Sequence, residues 1–231
     1  MTFLQGRTFH LSVFSGINGF IFDLDGTLVN SNGVWESIDR KLMEKNHIWL
    51  SDRELHQAAA MTYEEVLEFF CSKGLRYSLE QLRSESNELA EKEYRYNIFL
   101  KDGAEEALKL IKSRGGKIAL ATASPRRLYE PVLRRNCVYG MFDAFITTDE
   151  VGADKDHPDI YLKAAEMIGV PPWECAVFED VLKGIVSAGN AGMVTAAVYD
   201  EYSSEDYVTM KQIADVFLMS FRDILPMLIN N

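Results

Sequence analysis

The spacing of apolar residues changes character along the chain. Phe20–Leu24 is a short run without alternation, the pattern of a strand buried on both faces of a parallel sheet. From Trp35 to about Tyr96 the texture differs: charged residues rise, and Gly and Pro almost vanish. Apolar residues there recur at helical spacing, as in Ile38, Leu42 and Met43, or Val66, Leu67, Phe69 and Phe70. This predicts about four helices, with a break at Ser72-Lys73-Gly74. Beyond Asp102-Gly103 the two periods alternate. Helices are predicted over 104–113, 158–168 and 182–191, and strands over 117–121, 142–147, 175–178, 194–198 and 216–218. Ser124-Pro125 is expected to open a further helix, with Ser as N-cap and Pro at the first helical position. An alternating stretch from Thr8 to Phe14 suggests one more short strand.

Strands alternating with helices imply an α/β fold, a doubly wound parallel sheet of Rossmann-like type. The helical block is then an all-α insertion after the first strand. The expected division is 1–33 with 98–231 for the α/β domain and 34–97 for the inserted one. The 231 residues carry a formal net charge of −11, which argues against a nucleic-acid backbone as partner. No run approaches 18 apolar residues, so no membrane span is expected. The N-terminal stretch is broken by Gln5, Arg7 and His10 and lacks the continuous apolar region of a signal peptide. Cys71, Cys137 and Cys175 are widely spaced and read as reduced, buried, hydrophobe-like residues, consistent with a cytoplasmic location.

Chemistry enters at the strand ends. The first strand delivers Asp23 and Asp25, and the second delivers Thr122 and Ser124. Lys155 follows the third, and the fourth delivers Glu179 and Asp180. A parallel sheet places all of these along one edge. Four carboxylates together repel, and one or more would stay protonated unless a cation is present. Lys155 offsets part of that charge. A site built of hard oxygen ligands, with neither His nor Cys nearby, favours Mg²⁺ for the rest. Asp23 and Asp25, two apart on a strand, point the same way, so both can reach one reacting centre. Gly26 lets the chain turn sharply and bring backbone N–H groups close to an anion.

The ordered set DLDGT (Asp23–Thr27), Thr122 closing IALAT, Lys155 in KDHPD, and Glu179-Asp180 before GIVSAGNAGM resembles the motifs of the haloacid dehalogenase superfamily. The insertion is similar to the helical cap of its β-phosphoglucomutase-like branch. The resemblance implies an Mg²⁺-dependent phosphatase of a small phosphorylated metabolite. Asp23 would be the nucleophile, forming an aspartyl phosphate. Asp25 would protonate the leaving oxygen and then activate water. Thr122 and Lys155 would hold phosphoryl oxygens, with Gly26, Ala123 and the cap residue Trp35 also facing the substrate. Asp23, Asp25 through its carbonyl and Asp180 would bind the metal, and Glu179 would bind it directly or through water. A monomer without nucleic-acid or membrane partners is expected.

A sugar phosphomutase is the alternative, and the cap bears on it. Such an enzyme holds a second phosphate with a cap arginine, whose position falls on Tyr63, and its cap histidine falls on Trp35. A neutral pair leaves a second dianion under-compensated, although Arg53 or Lys73 offers a substitute cation. Trp35, Trp49 and Tyr63 otherwise read as packing residues of the cap, and His157 as a loop histidine and not a ligand.

Overall fold

A computed structural model describes residues 13–59, 61 and 63–229. Six strands are present among them: β1 (Gly19–Phe22), β2 (Lys117–Thr122), β3 (Ala144–Thr147), β4 (Cys175–Glu179), β5 (Val194–Val198) and β6 (Val216–Leu218). All pairings are parallel, in the order β3-β2-β1-β4-β5-β6. The chain builds outward from β1 to β3 on one side and then restarts at β4 on the other. The reversal between β1 and β4 is the switch point at which sheets of this kind bind ligands. β1 and β4 are buried at every position, as the unalternating apolar runs require. Phe22 of β1 stacks on Phe178 of β4 with ring centroids 4.4 Å apart. Each such ring, fully buried, contributes roughly 1.5–3 kcal/mol.

Eleven helices accompany the strands among the described residues: α1 (Gly33–Lys45), α2 (Asp52–Ala59), α3 (Tyr63–Ser72), α4 (Leu79–Tyr96), α5 (Ala104–Ser113), α6 (Arg126–Arg135), α7 (Thr148–Val151), α8 (Asp159–Ile168), α9 (Leu182–Asn190), α10 (Tyr207–Ile213) and α11 (Leu225–Ile229). None is long and apolar enough to cross a membrane. Contacts divide the chain into two compact units. One comprises Met1–Val29, Leu100–Pro125 and Val138–Asn231, and the other Asn30–Phe99 and Arg126–Cys137. The second unit thus holds α1 to α4 and also α6, which the sequence pattern had placed with the α/β part. The reason is side-chain contact: α6 lies along α4, where Arg127 bonds Asn87 (2.6 Å) and Glu91 (3.1 Å). α4 starts on a reciprocal cap in which Ser78 and Gln81 satisfy each other's backbone N–H groups.

Three expectations need correction. Ser124 caps no helix: α6 begins at Arg126, and the Ser124 hydroxyl donates to the carboxylate of Asp25 (2.5 Å). Cys137 is exposed rather than buried, since it sits at positive φ (60°) in the turn that ends α6 and no apolar surface covers it. Cys71 is half-buried and only Cys175 is buried. Trp49 is 77% exposed in the α1–α2 connection and packs in no core. The strand suggested over 8–14 lies mostly outside the described residues, and its last two, Val13 and Phe14, form a turn.

Candidate active site

The end of β1 and the end of β4 are neighbours because their registers match: Phe22 pairs with Phe178, and the Asp23 N–H donates to the Phe178 carbonyl (3.0 Å). The next residue on each strand carries a carboxylate, so Asp23 and Glu179 meet across the switch point. Asp180 follows, still buried. Lys155, on the loop before α8, is buried as well. Its ammonium donates to Asp23 Oδ1 and to Glu179 Oε1, the latter at 2.7 Å. The Tyr161 hydroxyl from α8 donates to that same Glu179 oxygen (2.8 Å). Close packing enforces this arrangement. A Cβ at Gly184 would lie 2.7 Å from both the Glu179 carboxyl carbon and the Tyr161 hydroxyl oxygen.

Asp180 is fixed from two sides. The Thr27 hydroxyl donates to its Oδ1 (3.0 Å), and the Ser203 hydroxyl to its Oδ2 (3.3 Å). The loop that presents Thr27 turns at Gly26, whose φ of 72° suits glycine, and the Gly26 N–H closes on the Val29 carbonyl (3.1 Å). A second chain of bonds runs from β2. Thr122 Oγ1 accepts from the Ser124 N–H (3.0 Å), and Ser124 Oγ donates to Asp25. Asp23, Lys155, Glu179 and Asp180 therefore form one buried group, while Asp25, Ser124 and Thr122 form a relay beside Asp23. Ala123 joins Thr122 to Ser124 and is exposed.

Charge in this group is unbalanced. Burial pushes Asp23 above the usual carboxylate range, Lys155 lowers it only in part, and Asp25 adds repulsion. Glu179 is pushed up to about 8 by burial and by Asp23 and Asp180, against the pull of Lys155. Burial works against the Lys155 ammonium, yet Asp23 and Glu179 hold its pKa above the ordinary lysine value. Three carboxylates thus share one internal cation. Asp23, Glu179 and Asp180 each offer an oxygen, and these lie within 4.8 Å of one another. Glu179 Oε2 is buried without a hydrogen-bond partner. Oxygens bound to Mg²⁺ at ~2.1 Å stand about 3–4 Å apart. The donor set, all hard oxygen and short of positive charge, fits that ion.

The sequence-predicted cap residues lie in the helical unit. Trp35 is half-buried on α1. Lys73 is ion-paired with Glu54, and Arg53 is exposed on α2. Tyr63 opens α3. His157 stands in the exposed loop before α8. Sequence reasoning gave no role to Tyr161, Thr27 or Ser203. Tyr161 reads as one more aromatic on an amphipathic helix, and Ser203 as a polar loop residue. Thr27 alone had a signal, its place in DLDGT.

The chain is 27% identical over 211 residues to hexitol phosphatase B of Escherichia coli (strain K12), covering 88% of this chain and 92% of that one. It is 31% identical over 176 residues to the phosphorylated carbohydrates phosphatase of Thermotoga maritima, covering 75% and 81%. Among solved structures, CbbY from Rhodobacter sphaeroides in complex with phosphate shares the fold, with a TM-score of 0.75, 23% identity, and 92% and 99% of the two chains covered. Residues 17–192 match the model of the haloacid dehalogenase-like hydrolases, and with the motif residues gathered at the switch point of the sheet, the chain belongs to that family.

Proposed function

We propose that the protein is a phosphatase of small phosphorylated sugars or polyols, working through an aspartyl phosphate on Asp23. The observation that carries the reading is the buried group itself, in which Asp23 sits beside Lys155 and shares a cluster of oxygens with Glu179 and Asp180. Phosphoryl transfer needs chiefly positioning and neutralisation of charge on the phosphoryl oxygens. Lys155 supplies fixed positive charge, and Thr122 a hydroxyl. Asp23, Glu179 and Asp180 would hold Mg²⁺, with the Asp25 carbonyl as a further ligand; the ion supplies the charge that Lys155 alone lacks. Asp23 attacks phosphorus, and Asp25, oriented by Ser124, gives a proton to the leaving oxygen. Asp25 then takes a proton from the water that cleaves the aspartyl phosphate. The named activities of the two relatives above, on hexitols and on phosphorylated carbohydrates, support the substrate class.

The phosphomutase reading is not favoured. Of the two substitute cations the cap sequence offers, Lys73 is already paired with Glu54. The test is to mix the enzyme with a hexitol phosphate and Mg²⁺, quench in acid, reduce with ³H-borohydride, which converts an aspartyl phosphate into tritiated homoserine with release of phosphate, and map the labelled peptide. Label on the peptide carrying Asp23 is expected. Label elsewhere, or phosphate release undiminished in EDTA, overturns the mechanism.

A further inference from the structure

The helical unit holds a cavity of its own, of about 200 Å³. Trp35 and Asp39, one turn apart on α1, line one wall, and Leu82 and Ser86, one turn apart on α4, line another. Ala58, Met61 and Val66 contribute the rest of the apolar surface. Asp39 is out of place here. It is 8% exposed and forms no hydrogen bond or ion pair with any described residue. Burial pushes its carboxyl up to about 7, and the nearby Glu36 adds repulsion. A carboxyl in apolar surroundings without a partner costs stability, and an apolar residue of similar size would avoid the cost. Ser86, also buried at 3% exposure, adds a hydroxyl from the α4 wall.

We infer that this cavity is a binding site for the hydroxyl-bearing part of a small organic molecule, with Asp39 as acceptor. The site has the composition of a selective small-molecule pocket, mostly apolar with a few placed polar groups. A ligand hydroxyl would donate to the Asp39 carboxylate and supply its missing partner. The Trp35 indole offers a flat apolar face for the carbon skeleton, as carbohydrate C–H groups require. Ser86 both donates and accepts, so it suits a second hydroxyl. A purely apolar ligand would leave Asp39 unpaired and desolvated, which selects against it by the asymmetry that rejects analogues lacking a hydrogen-bonding group. The inference rests on the helical unit alone and stands whether or not Asp23 forms a phosphoenzyme.

The test is direct binding by the full-length protein, read at Met61. Protein labelled with ¹³C at the methionine methyls is titrated with glucitol to its solubility limit, and in parallel with 1-hexanol, the Met61 signal being assigned with Met61→Leu. The unphosphorylated probe keeps the phosphoryl site out of the measurement. A saturable shift of the Met61 methyl with glucitol is expected, weakened at least tenfold by Asp39→Leu and only a few-fold by Asp39→Asn, which keeps an acceptor oxygen. Three outcomes overturn the inference: no Met61 shift with glucitol, unchanged binding by folded Asp39→Leu, or tighter binding of 1-hexanol than of glucitol.

Discussion

Asp23 and Asp39 are both buried carboxyl groups, one in each unit, and their surroundings differ in kind. Asp23 has Lys155 bonded to it and shares a cluster of oxygens with Glu179 and Asp180. Asp39 has mostly apolar neighbours in its cavity and no hydrogen-bond or ion-pair partner among the described residues. Burial raises both pKa values. At Asp23 the protein supplies one cation, Lys155. At Asp39 it supplies none. The contrast separates two uses of a buried acid. A carboxylate with built-in compensation is ready to react, whereas an uncompensated one is ready to receive a donor from outside.

The contrast is sharpest in activity. Asp23→Asn is expected to lower turnover by more than about a thousandfold while the thermal melt holds, because an amide cannot form the acyl phosphate. Loss of less than that in a phosphate-release assay removes Asp23 as nucleophile. Lys155→Met should show what compensation is worth. Breaking a buried ion pair from one side costs about 3–5 kcal/mol, so a large drop in denaturant midpoint is expected when the unfolding is followed in EDTA. A change below about 1 kcal/mol would mean that the acids relax by protonation instead.

Asp39→Asn should act in the opposite direction. The folded pKa, about 7, is raised above the ordinary 3.8. Between those values the folded protein holds a proton that the unfolded chain has released, so stability falls as pH rises from about 4 to about 7. The penalty is absent below pH 4 and complete above pH 7. About three pH units correspond to at most about 4 kcal/mol. Asp39→Asn removes this slope, so relative to wild type it should gain stability at pH 8 and gain none at pH 4. Equal effects at both values would show that Asp39 ionises freely when folded. The smallest effect is expected from Tyr161→Phe, which takes one donor from Glu179 and leaves Lys155 in place. It should cost about 1 kcal/mol and weaken Mg²⁺ binding a few-fold by calorimetry.

The α/β unit was largely legible in the sequence because its signals are local and redundant. β1 and β4 are unbroken apolar runs that end in acids, and a parallel sheet allows those ends only one edge to share. What escaped depends on which side chain meets which. The Ser124 hydroxyl was expected to cap a helix, and it bonds Asp25 instead, since α6 starts two residues later. The partnership of Tyr161 with Glu179 depends on the absence of a side chain at Gly184. Asp39 had a signal that went unused. Trp35, Ile38, Asp39, Leu42 and Met43 follow the i, i+3, i+4, i+7, i+8 spacing of a single buried stripe, so an acid at the centre of that stripe is already anomalous.

Val29 and Leu100 form an antiparallel bridge, with the Lys101 N–H donating to the Leu28 carbonyl (2.9 Å). The consequence concerns folding order. β1 and β2 pair within the sheet although the whole helical segment separates them in sequence. Closing so long a loop from an open chain is entropically costly, and each doubling of length adds about 0.6 kcal/mol. A helical segment that folds first and brings residues 29 and 100 together converts that loop into a short one before any strand pairs. Local helical contacts in general form faster than parallel strands align, so if α1 to α4 fold before the strands pair, the insertion acts as a preformed clasp for the sheet. Destabilising α4, far from the strands in sequence, should therefore slow formation of the β1–β2 pair.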